Sequence, residues 1–231
     1  MLSMNTIAPR LRRAGALALS ALLSACAAVP AEEPGPLRKE SIVAVTAEHA
    51  LIRFNAGQPQ KILSRIRITG LQAGESLVGI DYRIARGVLY GLSDQGRLYT
   101  LNVETAVLSP VGAAPAALPL AGPLFGFDFN PVADRIRVVG EGRQNLRLHP
   151  DTGAVVDGDA AQAGVQPDPA LHYAPGDANA GRVPAVVAAA YTYNKLDEKI
   201  TTNYAIDRRL GTLVMQGSRE GATPVVSPNT G

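Results

Sequence analysis

The feature that most constrains this chain is an internal repeat. Residues 77–112, LVGIDYRIARGVLYGLSDQGRLYTLNVETAVLSPVG, return 47 positions later (Asp128 minus Asp81) as LFGFDFNPVADRIRVVGEGRQNLRLHPDTGAVVDG. Gly79 falls on Gly126, Asp81 on Asp128, Leu89 on Ile136, Leu101 on Leu148 and Thr105 on Thr152. Each copy contains short alternating apolar runs separated by turn residues. Such a unit cannot bury its apolar face alone and must stack on its neighbours. The spacing suits a small antiparallel sheet of about four strands, the blade of a propeller.

Within the first copy, Leu77–Tyr82, Gly87–Leu92 and Arg97–Val103 read as strands, with Ser93-Asp94-Gln95-Gly96 as a hairpin turn. Upstream, Ser41–Val45, Ala50–Phe54 and Ser64–Thr69 form the later part of an earlier copy, since Leu51 and Phe54 lie 47 before Leu98 and Leu101. After an irregular segment from Ala160 to Pro184, a third copy is expected in Val186–Tyr193, Lys199–Ile206 and Gly211–Met215. Its alignment sets Ala190 on Gly79, Thr192 on Asp81, Tyr193 on Tyr82, Ile200 on Leu89, Tyr204 on Tyr99 and Ile206 on Leu101. The last residues, Pro228-Asn229-Thr230-Gly231, read as a turn without its closing strand. The expectation is therefore an all-β, propeller-like repeat of four-stranded blades, C-terminally incomplete.

The N-terminus has a different grammar. Arg10, Arg12 and Arg13 precede an apolar run from Ala14 to Leu23, then Leu23-Ser24-Ala25-Cys26. This is the layout of an export signal, and its apolar run is too short for a permanent membrane span. The last four residues resemble a lipoprotein lipobox, which implies cleavage after residue 25 and acylation of Cys26, the one cysteine of the chain. Residues 26–39, rich in Ala, Pro and Glu, read as a tether to a repeat domain at 40–231. The expected address is an exported lipoprotein held at the outer membrane, facing periplasm or surface, with the membrane as partner. The formal charge of +2 includes the three leader arginines; without them 19 basic residues face 20 acidic ones, a net of −1. A nucleic-acid partner is not expected.

The stretches LVGIDYRIARGVLYGL, FGFDFNPVADRIRVV, QNLRLHPDTGAVVDGD and YAPGDANAG closely resemble the DUF4394 family. These are bacterial exported proteins grouped with β-propeller-like repeats. The resemblance covers about residues 40–231 and implies the fold. It transfers no catalytic or ligand-binding residues.

Asp157, Asp159, Asp177 and Asn179 are the candidate metal ligands. Alternating oxygen side chains on Gly-containing loops can surround calcium, although Asp177-x-Asn179-x-Gly181 is only half of an EF-hand-like loop, and ordinary turn chemistry explains the same residues. Asp81 and Asp128, at equivalent places, read as structural: they face a central channel or brace a neighbouring strand. His49, His149 and His172 do not cluster, Ser218 and Ser227 lack a nucleophile elbow, and Gly140-Glu141-Gly142 precedes no helix. Arg135, Arg137, Arg143 and Arg147 alternate, as a solvated strand or a basic patch for an anionic partner would. No catalytic residues and no required cofactor emerge. The leading expectation is a non-enzymatic binding module for an unknown protein or carbohydrate ligand at the cell envelope. The alternative is an envelope hydrolase or lyase with acidic channel residues and calcium, by fold analogy.

Overall fold

The computed structural model describes residues 33–112, 120–224 and 226. The expected signal peptide, Cys26, Ser227 and the final turn lie outside the described residues, and 33–39, the described part of the expected tether, carry no helix or strand. A compact unit runs from Pro34 onward.

The chain is all-β, built from four small antiparallel sheets. The first contains β1 (Ser41–Val45), β2 (Ala50–Asn55) and β3 (Ile62–Arg67). The second contains β4 (Leu77–Arg83), β5 (Val88–Ser93), β6 (Leu98–Leu101) and β7 (Leu108–Pro110). The third contains β8 (Phe125–Asn130), β9 (Arg135–Gly140) and β10 (Asn145–Leu148), and the fourth β11 (Val186–Tyr191), β12 (Asn203–Asp207) and β13 (Thr212–Gln216). Among the described residues these sheets close neither a barrel nor a ring.

The repeat is preserved pair by pair. Asp81 opposes Tyr90 and Leu89 opposes Leu101 in the second sheet; Asp128 opposes Arg137 and Ile136 opposes Leu148 in the third. Among the described residues the expected four-stranded unit is complete only in the second sheet. In the third, the place of β7 is reduced to one bridge, Leu148 to Val155. There Asp157 Oδ1 accepts the N–H groups of Asp159 and Gln166, which turns the chain away from the sheet edge. The first sheet supplies the second to fourth strands of a unit: β1 stands 47 residues before β5, and among the described residues no inner strand is paired with it.

Consecutive sheets pack face to face. Leu51 and Ile68 meet Leu89, Tyr99, Leu101 and Leu108 between the first and second sheets. Tyr90, Leu92 and Leu98 meet Phe127, Ile136 and Leu146 between the second and third. The third and fourth share a much smaller cluster, Val139, Leu171, Val186 and Ala205. Period-two alternation explains the arrangement, because successive residues of β9 serve opposite interfaces: Ile136 and Val138 face the second sheet, Val139 the fourth.

The inner strands β4, β8 and β11 lie side by side, closely enough to require small residues. A Cβ on Gly79 would sit 2.5 Å from Phe127 Cβ, and one on Gly126 only 2.4 Å from the backbone nitrogen of Ala189. Each aspartate clamps the next sheet. Asp81 Oδ2 accepts the N–H of Phe129 at 2.8 Å, and Asp128 Oδ1 accepts the N–H of Tyr191 at 2.8 Å.

These contacts correct the alignment of the third copy. Phe129 and Tyr191 take equivalent hydrogen bonds, and Ala190 opposes Tyr204 where Asp81 opposes Tyr90. Ala188 therefore stands at the place of Gly79, Ala190 at that of Asp81 and Tyr191 at that of Tyr82, two residues from the expected register. Tyr204 and Ile206 belong to the second strand of their sheet, and Ile200 lies outside any strand. A slip of two keeps every side chain on its own face, so the run Ala188-Ala189-Ala190 reads the same in either register.

Candidate functional site

In the corrected register, the interface between the third and fourth sheets breaks the repeat in two places. Leu89 pairs with Leu101 in the second sheet and Ile136 with Leu148 in the third, all buried and apolar. The equivalent pair in the fourth sheet is Asn203 with Gln216, which are 2% and 5% exposed. The last inward position of the inner strand differs as well. In β4 it is Arg83, whose buried side chain fills the space before the third sheet and bonds Asp134 and Asp151 at 2.5 Å. In β8 it is Asn130, whose short side chain turns back to accept the N–H groups of Val132 and Ala133.

Beside Asn130 lies a cavity of about 200 Å³. Its inner wall is Asn130, Tyr191, Asn203 and Gln216; its outer wall carries Lys199, Thr201, Ser218, Arg219 and Glu220. Strands β8, β11, β12 and β13 hold the inner wall, while turns at 199–202 and 218–222 form the outer one. Glu220 Oε2 accepts the Thr192 hydroxyl at 3.1 Å, and the Glu220 N–H donates to Thr202 Oγ1 at 2.8 Å, so the outer wall is tied to the sheet.

Behind the inner wall runs a buried chain of hydrogen bonds. Arg137 Nη1 donates to Asp168 Oδ2 at 2.6 Å and to Asn145 Oδ1 at 2.7 Å. Gln216 Nε2 donates to Asn145 Oδ1, and Asn203 Nδ2 to Gln216 Oε1, both at 3.0 Å. Arg147 clasps Asp168 from the opposite side through Nε and Nη2. The guanidinium of Arg137 and the carboxylate of Asp168 are 2% and 1% exposed, so this ion pair is wholly removed from water. At the far end Asn203 Oδ1, also buried, accepts no hydrogen bond among the described residues. A polar atom in that condition costs stability unless something fills the place.

Sequence reasoning placed Arg137 and Arg147 on a strand face, and the structure pairs them across β9 and β10. They turn inward onto Asp168 and do not form a solvated basic patch. Asp168, Asn203 and Gln216 were missed. The legible signal was the loss of leucine at two repeat positions, but it appears only in the corrected register.

The calcium candidates lie in two turns. Asp157 accepts the backbone bonds given above; Asp159 accepts from Ala161 N–H at 3.1 Å and Gln162 Nε2 at 2.7 Å, and the latter contact first of all lowers its pKa. Asp177 Oδ1 accepts the Asn179 N–H at 2.7 Å. Among the described residues no group of three or more His, Cys, Asp or Glu side chains is arranged to hold a metal ion. His149 Nδ1 is engaged by the Asp151 N–H at 3.2 Å. Asp81 and Asp128 approach one another along the inner strands. Burial raises both, and burial with the negative charge of Asp81 pushes Asp128 up to about 8.

A family model described as "Domain of unknown function (DUF4394)" matches residues 50–231, well over half of the chain. The chain belongs to the DUF4394 family. The match begins at β2, yet β1 of this DUF4394 chain pairs with β2 along its whole length, so the folded unit starts before the matched residues. No curated protein matches the chain. Among solved structures, Kluyveromyces lactis Hsv2 ("complete loop 6CD") is similar at 10% identity and a TM-score of 0.37, over 82% of this chain and 73% of that one.

Proposed function

We propose that this chain is a non-enzymatic binding module on a propeller-like scaffold, with its ligand in the cavity between the third and fourth sheets. The supporting observation is the local exchange of a buried leucine-type pair for Asn203 and Gln216, beside a cavity lined by Asn130, which stands at the place of Arg83. A fold that needed only stability would repeat the apolar pair and the long side chain, as it does one interface earlier. Polar groups held by a buried network before any ligand arrives are what selective recognition of a small molecule requires.

The propeller-like reading draws support from the equivalence of faces. Ile206 and Leu213 occupy the positions of Leu92 and Leu98, which the third sheet covers, yet they are 46% and 70% exposed. They form the kind of face on which a blade stacks.

The binding reading is tested by exposing the full chain to the small-molecule fraction of an envelope extract and recording native mass spectra. Wild-type chain is expected to retain a bound mass. Ala222→Phe, which puts a ring into the outer wall, is expected to lose it while melting within a few degrees of wild type. A wild-type chain that retains nothing would overturn the reading.

The proposed address is the membrane surface, through acylated Cys26. Cys26→Ser is expected to move the chain from the membrane pellet to the soluble fraction; unchanged pelleting would refute the anchor.

A further inference from the structure

We infer that this chain docks onto a second copy of itself, the outer face of its fourth sheet covered by the outer face of the other copy's first sheet. The faces involved lie away from the cavity, so this association stands or falls apart from the ligand proposed above.

The packed interface between the second and third sheets shows what each face needs. There Tyr90, Leu92 and Leu98 lie against Ile136, Val138, Leu146 and Leu148. Tyr204, Ile206 and Leu213 hold the places of the first three in the fourth sheet. Tyr204 opposes Ala190 as Tyr90 opposes Asp81, and Ile206 opposes Leu213 as Leu92 opposes Leu98. Ile42, Ala44, Ile52 and Phe54 hold the places of the other four in the first sheet. Ile42 opposes Phe54 and Ala44 opposes Ile52, as Ile136 opposes Leu148 and Val138 opposes Leu146. One chain therefore carries both halves of an apolar interface, on the two sheets that end the series.

Both halves are open to water. Leu92 and Leu98 are 0% and 1% exposed, whereas Ile206 and Leu213 are 46% and 70% exposed. On the other half, Val155 bridges to Leu148 and is 6% exposed; its counterpart Ile62, which opposes Phe54, is 44% exposed. Large apolar side chains grouped in this way on a sheet face are a docking surface. The charged residues on the first-sheet face belong to the edge strand β3: Arg67, opposite Ala50, and Arg65, opposite Ile52, which donates to Glu48. They supply a polar rim beside the apolar centre.

The inner strands select the partner. A neighbour built like the second, third or fourth sheet brings an inner strand of its own, and the seat for that strand has two parts. A glycine gives room, since a Cβ on Gly79 would sit 2.5 Å from Phe127 Cβ; an aspartate clamps, since Asp81 Oδ2 accepts the Phe129 N–H. Gly126 and Asp128 repeat both parts. In β11 their places fall to Ala188 and Ala190, which put a Cβ where none fits and offer no acceptor. The fourth sheet is thus unsuited to a neighbour with an inner strand. The first sheet is the one that, among the described residues, has none paired with it. It offers the matching apolar face without the strand that would collide with Ala188. One such contact leaves one face of each kind open; a second closes the pair and buries all four.

Sedimentation of the full chain is expected to show a species of twice the chain mass in equilibrium with single chains. Leu213→Asp and Ile62→Asp place a carboxylate at exposed positions, so both chains are expected to melt near wild type. Each is expected to weaken pairing about tenfold or more, because the new charge must be desolvated against an apolar face. Mixing the two variants tests the head-to-tail arrangement. The Leu213→Asp chain keeps an intact first-sheet face, and the Ile62→Asp chain keeps an intact fourth-sheet face. With one of them nitrogen-15 labelled, native mass spectra are expected to show a mixed pair more abundant than either variant's pair with itself. Single chains at every concentration would overturn the inference and leave both faces to a different polypeptide. Undiminished pairing in Ile62→Asp would overturn it in favour of two fourth-sheet faces meeting each other. Undiminished pairing in Leu213→Asp, or no excess of the mixed pair, would overturn it as well.

Discussion

Replacing Asp168 with alanine is expected to destabilise the chain by about 3–5 kcal/mol, because it strands the buried guanidinium of Arg137 without its counter-ion. Asp168 receives Arg137 through Oδ2 and Arg147 through both oxygens, and its side chain is 1% exposed. For a domain of this size the loss corresponds to a fall in Tm of roughly 10 °C or more. Arg147 is partly exposed and regains water when Asp168 is removed; Arg137 does not. The diagnostic comparison is therefore Arg137→Leu/Asp168→Leu, which removes the buried charge together with its partner. It is expected to recover most of the stability lost in Asp168→Ala, since a buried ion pair is costly to break and inexpensive to replace by apolar groups. Thermal melts of the two variants decide the matter. An Asp168→Ala chain melting within 2 °C of wild type would mean that the carboxylate does not neutralise Arg137 in solution.

Asp128→Asn is expected to stabilise the chain at alkaline pH and leave it nearly unchanged in mild acid. Burial first, and the charge of Asp81 second, raise the pKa of Asp128 to about 8. A carboxyl group raised in the folded state contributes its full stability below its unfolded value of 3.8, and that contribution is lost as pH climbs through about 8. Asp81 is raised too, chiefly by burial, and works in the same direction. Asparagine keeps an amide oxygen for the Tyr191 N–H and cannot ionise. Relative to wild type, the variant's Tm should therefore climb between pH 5 and pH 9. The gain between pH 5 and the alkaline end is about 4 kcal/mol, or roughly 10 °C. A difference in Tm that stays flat across this range would show that Asp128 ionises freely in the folded chain. The clamp it forms would then be an ordinary exposed carboxylate contact.

The two experiments probe adjacent parts of one interface. Asp128 holds the inner strands of the third and fourth sheets together, and the Arg137 network fills the space behind them. That interface has the smallest apolar cluster of the three, so its polar contacts carry a larger share of the adhesion. The same economy of apolar packing leaves room for the cavity.

What the sequence determined by itself was the unit and its order. Alternating apolar residues with a 47-residue return dictate small sheets, because period two commits each strand to two faces and only stacking covers both. The pairing of Asp81 with Tyr90 and of Asp128 with Arg137 follows from that pattern and from the turns between the strands. Only the tertiary structure decided where the pattern was broken to make a site. The alanine run at 188–190 carries no mark of register, and the hairpin from Tyr191 to Asn203 differs in length from its counterparts, so Asn203 could not be aligned with Leu89 from the chain alone. Asp168 lies in a segment with no strand pattern, 31 residues from Arg137, and is brought to it only when the loop folds over β9 and β10. Local periodicity reports which side of a strand is buried; it cannot report what waits on that side, because partners distant in sequence meet only after the sheets have packed.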